Sequence, residues 1–196
     1  MHGLRRLSMS TGIELDESER EDAQLASDAH GGSHAAFNRL MDKHQPTVLR
    51  YLTGHIRNSA DAYDIAQDTF VAVFKNLDRY DRSRPFLAWL FVIARNKARD
   101  HHRRQRTLRW VGLDGEQDVI ATDAPDPEVS AIGVNELSKA RDIIATLPDG
   151  LRTPLLLSVM DELSLAEIGD VMGISTKAAE VRIYRARKLL KEHFYP

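Results

Sequence analysis

Apolar residues return at intervals of three and four along most of this 196-residue chain, and nowhere do alternating β-branched residues run long enough to build a sheet. That regularity restricts the chain to packed helices, so the expected fold is all-α. Helices are predicted over residues 34–57, 61–78, 84–106, 128–146, 149–160, 164–172 and 176–193. The pattern breaks at Leu113–Glu128, which holds Gly115, Pro125, Pro127 and six acidic residues with no basic one. Such a stretch cannot bury enough apolar area to order itself and reads as a flexible linker. The expected organisation is an acidic N-terminal extension over 1–30, a small helical domain over 31–112, the linker over 113–128, and a second small helical domain over 129–196.

With 42% hydrophobic residues the chain can fill two small cores. Cysteine is absent, which excludes disulfides and thiolate metal sites. The start, Met1 to Leu7, lacks the apolar stretch of a signal peptide, and no later run approaches the roughly 18 apolar residues of a membrane span, so a cytoplasmic protein is expected. Met9 is an equally good start, which would make residues 1–8 an artefact of annotation. The net charge of −2 conceals an uneven distribution. Arg95–Arg109 and Lys177–Lys191 are basic, while Glu14–Asp28 and Asp114–Glu128 are acidic.

The most informative segment runs from Leu163 to Ser175. Ser164 and Glu167 form an S-x-x-E capping box, Gly173 suits a left-handed turn, and Ser175 can cap the next helix. Gly169 lets the following helix cross closely, with Ile168, Met172, Ile174, Ala179 and Ile183 facing a shared core. This is a helix-turn-helix pattern. At 100° per residue the second helix buries Ala179, Ile183, Ala186 and Leu190 and turns Lys177, Val181, Tyr184, Arg185 and Lys188 outward. Thr176, Lys177, Glu180, Val181 and Tyr184 lie where a recognition helix meets base edges, and Arg182, Arg185 and Arg187 where it holds phosphates. The alternative is an αα-hairpin with a solvated charged face.

Between Asp61 and Leu77 the predicted buried stripe is Ala62, Ile65, Ala66, Thr69, Phe70, Val73 and Leu77. Asp61, Asp64, Asp68, Val71 and Lys75 share the outward line, where the three aspartates repel one another. A solubilising face with a favourable helix-dipole interaction would account for them equally well. The basic, aromatic loop Arg79–Phe86 follows, and then a helix that is apolar at Phe86, Trp89, Leu90 and Ile93 and cationic beyond Asn96. One end suits packing and the other suits phosphate. Phe86 and Trp89 could stack on bases, although core packing is their commoner use. His101 and His102 are adjacent and diverge, so a metal site is not expected.

Four strings in this order and spacing resemble the extracytoplasmic-function sigma factors, the small two-domain members of the bacterial sigma family. They are Asp61–Leu77 with Arg79-Tyr80-Asp81, Phe86–Asn96, Leu147-Pro148 with Arg152, and Leu163-Ser164, Glu167-Ile168 with Arg185-Ala186-Arg187. The resemblance covers about residues 34–195. It implies that 31–112 is sigma region 2 and 129–196 is sigma region 4, and that the partners are promoter DNA and core RNA polymerase through its beta-prime clamp helices and beta flap. An anti-sigma protein is the further partner that membership would bring. The resemblance places polymerase binding at Asp61, Asp64, Gln67 and Asp68. It places minus-ten DNA at Tyr80, Arg82, Arg84, Asn96, Arg99, Arg103 and Arg104, and minus-thirty-five DNA at Thr176, Lys177, Glu180, Val181, Arg182, Tyr184 and Arg185. Two residues depart from the family pattern: Tyr63 stands where a second acid is usual, and Glu180 where a basic residue is common.

A stand-alone helix-turn-helix regulator would share the C-terminal motif but leaves the aspartate face and the loop without a purpose. An enzyme finds little support, because there is no glycine-rich phosphate loop, nucleophile elbow or H-E-x-x-H, and no cofactor is expected. Limited proteolysis of the free protein is expected to cut between Leu113 and Glu128 and to yield two helical fragments. Resistance there would mean that the two halves pack together.

Overall fold

A computed structural model describes residues 15–110, 131–160 and 162–194. Eight α-helices account for most of these residues: α1 (Glu17–His30), α2 (His34–His55), α3 (Ser59–Lys75), α4 (Phe86–Trp110), α5 (Ala131–Thr146), α6 (Asp149–Ser158), α7 (Leu165–Met172) and α8 (Thr176–Phe194). No strand occurs among the described residues, as the apolar spacing requires. Helices α2 to α8 start and end close to their predicted limits. The linker expected at 113–128 lies outside the described residues.

Helix α1 was not predicted. Asp16 and Glu19 cap it reciprocally, Glu19 N–H donating to Asp16 Oδ1 at 2.8 Å and Asp16 N–H to Glu19 Oε2 at 2.7 Å. It buries Asp22, Leu25, Ala26 and Ala29, a three-and-four stripe, against α2. From Glu17 onward the expected acidic extension is therefore part of the first bundle.

In that bundle α2, α3 and α4 enclose Val48, Tyr51, Leu52, Ala62, Val73, Leu90, Phe91 and Ala94, each with essentially no exposure. Asn58 begins α3 by accepting from Ala60 N–H at 2.9 Å and Asp61 N–H at 3.3 Å. The predicted stripe from Ala62 to Leu77 is buried throughout. In the second bundle, Ser164 and Glu167 cap α7 reciprocally and Gly173 ends it at φ 67°. Ser175 Oγ then accepts from Ala178 N–H at 3.2 Å to start α8. Gly169 is needed for the crossing, because a Cβ there would sit 2.9 Å from the Ile174 carbonyl oxygen.

The two bundles meet along a seam where α6 packs on α2 and α7 on α4. A Cβ at Gly54 of α2 would lie 2.6 Å from Leu156 Cδ2 of α6. Arg95 Nη1 donates to the Val171 carbonyl at 3.0 Å, and Glu162 accepts from Thr47 at 3.0 Å and Arg50 at 3.2 Å. His55 lies in this seam, 3% exposed, with its Nε2 3.4 Å from Thr153 Oγ1.

Burial, followed by the charges of Arg152, His102 and Arg95, pushes the His55 imidazole down from 6.5 to about 3. The packed protein therefore holds His55 neutral, while the unpacked chain takes up a proton below pH 6.5. Stability from this group is complete above that value and falls as pH drops toward 3. Between pH 7 and pH 5.5 the wild type should lose about 1 kcal/mol more than a His55→Gln variant in urea unfolding. Equal losses would show that His55 does not sense the seam.

Candidate nucleic-acid interface

The loop before α4 forms one wall of a cavity of about 360 Å³. Arg79, Tyr80, Arg84, Trp89 and Val92 line it, and Asp170 and Val171 of α7 close its far side. Tyr80 is 7% exposed, and its hydroxyl donates to the Arg84 carbonyl at 2.7 Å. Its ring meets Phe86 edge-on at 5.3 Å and Trp89 at 5.2 Å. Burial, and secondarily the carboxylates of Asp22, Asp81 and Glu19, raises the Tyr80 phenol well above its ordinary value, so it stays protonated. Tyr80 therefore shapes the cavity from within the core. Phe86 is fully packed and Trp89 half-buried. Asp81 pins the turn by accepting from Ser83 N–H at 3.0 Å and Ser83 Oγ at 2.7 Å, bonds that lower its pKa.

Asn96, Arg99, Arg103 and Arg106 recur every three or four residues and share one side of α4. They face the α5–α6 corner across a groove of about 860 Å³ that Leu147, Pro148, Asp149 and Arg152 close. Arg99 Nε lies 3.9 Å from Asp149, and Arg103 Nη2 lies 3.1 Å from Asp100. The residues assigned to minus-ten DNA are thus divided. Tyr80 and Arg84 line the smaller cavity, Asn96, Arg99 and Arg103 line the groove, and the exposed Arg82 and Arg104 line neither.

On α3, Asp64, Gln67 and Asp68 are exposed, with Asp68 3.9 Å from Lys97. Asp61 differs from its expected outward position. It is half-buried, and its carboxylate lies 3.7 Å from His101 Nε2 of α4. Tyr63, Val71 and Phe74 stand exposed beside the acids and, with Gln67, form a stripe at spacings of four, four and three. Val71 lies on the predicted outward line, and its helical spacing from Tyr63 and Phe74, visible in the sequence, makes the stripe continuous.

On α8 the buried and exposed sides are as predicted. Ala179, Ile183 and Ala186 face inward, while Thr176, Lys177, Glu180, Val181, Tyr184 and Arg185 face solvent. Lys177 Nζ donates to Glu180 Oε2 at 2.7 Å, so two of the residues expected to meet base edges pair with each other. Arg182 is half-buried beside Gly150, whose Cβ would stand 3.7 Å from Arg182 Nη1. Among the described residues no cluster of three or more His, Cys, Asp or Glu could hold a metal ion, and no helix is long and apolar enough to cross a membrane.

Residues 40–107 match the Sigma-70 region 2 family and residues 137–190 match Sigma-70 region 4. The chain is 35% identical over 178 residues to the RNA polymerase sigma factor CnrH of Cupriavidus metallidurans, covering 88% of this chain and 93% of that one. It is 30% identical over 169 residues to the ECF RNA polymerase sigma factor SigW of Bacillus subtilis, covering 82% and 90%. Among solved structures, CnrH in complex with the cytosolic domain of CnrY superposes with a TM-score of 0.69 at 32% identity, covering 89% of this chain and 97% of that one. The sigma factor RpoE with the anti-sigma factor NepR from Bartonella quintana has the same fold, with a TM-score of 0.68 at 19% identity over 81% and 96% of the two chains. The aromatic loop cavity, the acidic face of α3 and the helix-turn-helix thus occur together in a chain that belongs to the extracytoplasmic-function RNA polymerase sigma factors.

Proposed function

We propose that the chain carries core RNA polymerase to specific promoters and helps to open them, as an initiation factor of the bacterial cytoplasm and not an enzyme. In this reading 31–112 is sigma region 2, 129–196 is sigma region 4, and 113–128 links them. The observation that carries it is the presence of two kinds of DNA chemistry in one chain. One is an exposed face of α8 at a helix-turn-helix, and the other is an aromatic cavity large enough for a base. The region 2 and region 4 matches support this division, whereas a stand-alone regulator would need only the second.

Asp64, Gln67 and Asp68, with Tyr63, Val71 and Phe74 beside them, form the surface that docks on the beta-prime clamp helices. The beta flap is the second contact, through the helix-turn-helix bundle. Asp61 contributes less because His101 already faces it. Arg82, Arg84, Asn96, Arg99, Arg103 and Arg104 meet the minus-ten region. Thr176, Lys177, Glu180, Val181, Tyr184 and Arg185 read the minus-thirty-five region, with Arg182 at its edge. Because α7 walls the cavity, the seam between the bundles must part before a base can enter freely. An anti-sigma protein that holds the bundles together would restrain the factor, and one protein of the same fold was solved with an anti-sigma factor bound.

Purified protein should bind core polymerase and support specific initiation without ATP hydrolysis. Charge reversal at Asp64 and Asp68 should weaken core binding about tenfold or more and leave the helical fold intact. Unchanged binding would refute the docking surface. Glu180→Gln should alter preference among minus-thirty-five sequences, by roughly 1–3 kcal/mol at the base read by that residue. Asn96→Ala should impair opening of duplex promoters, and unpairing the minus-ten region in advance should restore only part of the loss. If Asn96→Ala shifted minus-thirty-five preference, or Glu180→Gln affected only melting, the roles of the bundles would be reversed.

A further inference from the structure

Asp22 sits in the middle of α1, before the region 2 match begins at residue 40, and is 4% exposed. A buried carboxylate is costly unless it is paired, and an apolar residue would serve as well if α1 needed only to adhere to α2. Leu25, Ala26 and Ala29 already provide that adhesion. Asp22 is instead paired twice. Its Oδ2 is 2.9 Å from His44 Nε2, and its Oδ1 accepts from Lys43 Nζ at 2.5 Å. Burial alone would push its pKa up, but the bonds from His44 and Lys43 outweigh this and hold the carboxyl below its ordinary value.

The pairing fixes the orientation of the His44 ring, which is itself 4% exposed. That ring lies 5.6 Å from Phe86, centre to centre. Phe86 in turn meets Tyr80 at 5.3 Å and Trp89 at 5.8 Å, and both of these line the smaller cavity. Helix α1 also touches the 3₁₀ turn Leu77–Arg79 that leads into the loop. A contiguous series of packed groups thus runs from one acid of α1 to the wall of the cavity.

We infer that Asp22 is a positioning residue for promoter opening: through His44 and Phe86 it holds the Tyr80 and Trp89 rings where they shape the cavity. The inference rests on the reading of that cavity as the site of base capture. Asp22 does not touch the base. It supplies a rigid second layer behind a loop whose inner surface must be preorganised.

The test uses full-length protein with core polymerase on a promoter mapped from the transcripts that the protein itself initiates. Asp22→Asn removes the charge while keeping the shape. It should leave core affinity within about twofold of wild type and slow open-complex formation about tenfold. His44→Ala should do the same, and the double variant should be no slower than either single one, since both break one link. With Trp110→Phe as background, so that Trp89 alone emits, Asp22→Asn should make Trp89 more accessible to acrylamide. Leu25→Ala serves as control, because it loosens α1 without touching the pair. Should it slow opening as much as Asp22→Asn at an equal loss of stability, Asp22 would be merely structural and the inference overturned. Losses at Asp22 and His44 that multiply would also overturn it. If Asp22→Asn does not fold, His44→Gln breaks the series from the other side and is read against the same control. Normal opening by Asp22→Asn beside a defective Asn96→Ala would overturn this inference alone, whereas normal opening by both would overturn base capture and the inference with it.

Discussion

One guanidinium holds three stretches of chain together. Arg152, in α6, donates to the carbonyls of Ala145 at 2.7 Å, Leu147 at 2.8 Å and His55 at 3.3 Å. The first two close the end of α5, whose last carbonyls have no partner within the helix, and the third is the final residue of α2. A lysine could not reproduce this, since only a planar fork presents several donors in fixed directions. The α5–α6 corner is therefore anchored to the first bundle by the same group that shapes it. Helix α6 seats on α2 beside that anchor, and α7 seats on α4 where Arg95 donates to the Val171 carbonyl, which brings Asp170 and Val171 to the wall of the loop cavity.

The seam has an electrostatic character that its apolar members do not reveal. Arg95, Arg152 and His102 all act on His55, and Asp149 is the carboxylate that acts on His102. Burial is the main cause that lowers His102 as well as His55, with Arg152 the next in both. Burial thus favours the neutral form of both imidazoles beside two half-buried arginines. The arginines of the interface are held by backbone carbonyls rather than by carboxylates: Arg95 by Val171, and Arg152 by Ala145, Leu147 and His55.

Much of this architecture was legible in the sequence. The helix-turn-helix was fixed by residues whose backbone roles are local: Ser164 and Glu167 at one end of α7, Gly173 at the other, Ser175 before α8. The periodicity of α3 assigned every buried residue correctly, because that helix packs along a single continuous face. What escaped was partly local and partly not. Helix α1 was hidden by its acidic composition, although Asp22, Leu25, Ala26 and Ala29 already had helical spacing. The position of Tyr80 depended on a carbonyl four residues away that could satisfy its hydroxyl inside the core. Asp61 turned inward because His101, forty residues later, stands opposite. Nothing in the pattern around Gly54 announces that Leu156 presses on it.

That last contact has a consequence for how much of the protein is ready for use at any moment. A glycine that admits a leucine at such close range gives the seam a tight fit, and tight seams are two-state: seated or released. If only about one molecule in a hundred is released, every ligand that needs the released form binds about a hundredfold more weakly than its intrinsic affinity. The width of a single missing methyl group thus bears on how firmly α6 seats on α2 and how readily that seat is given up.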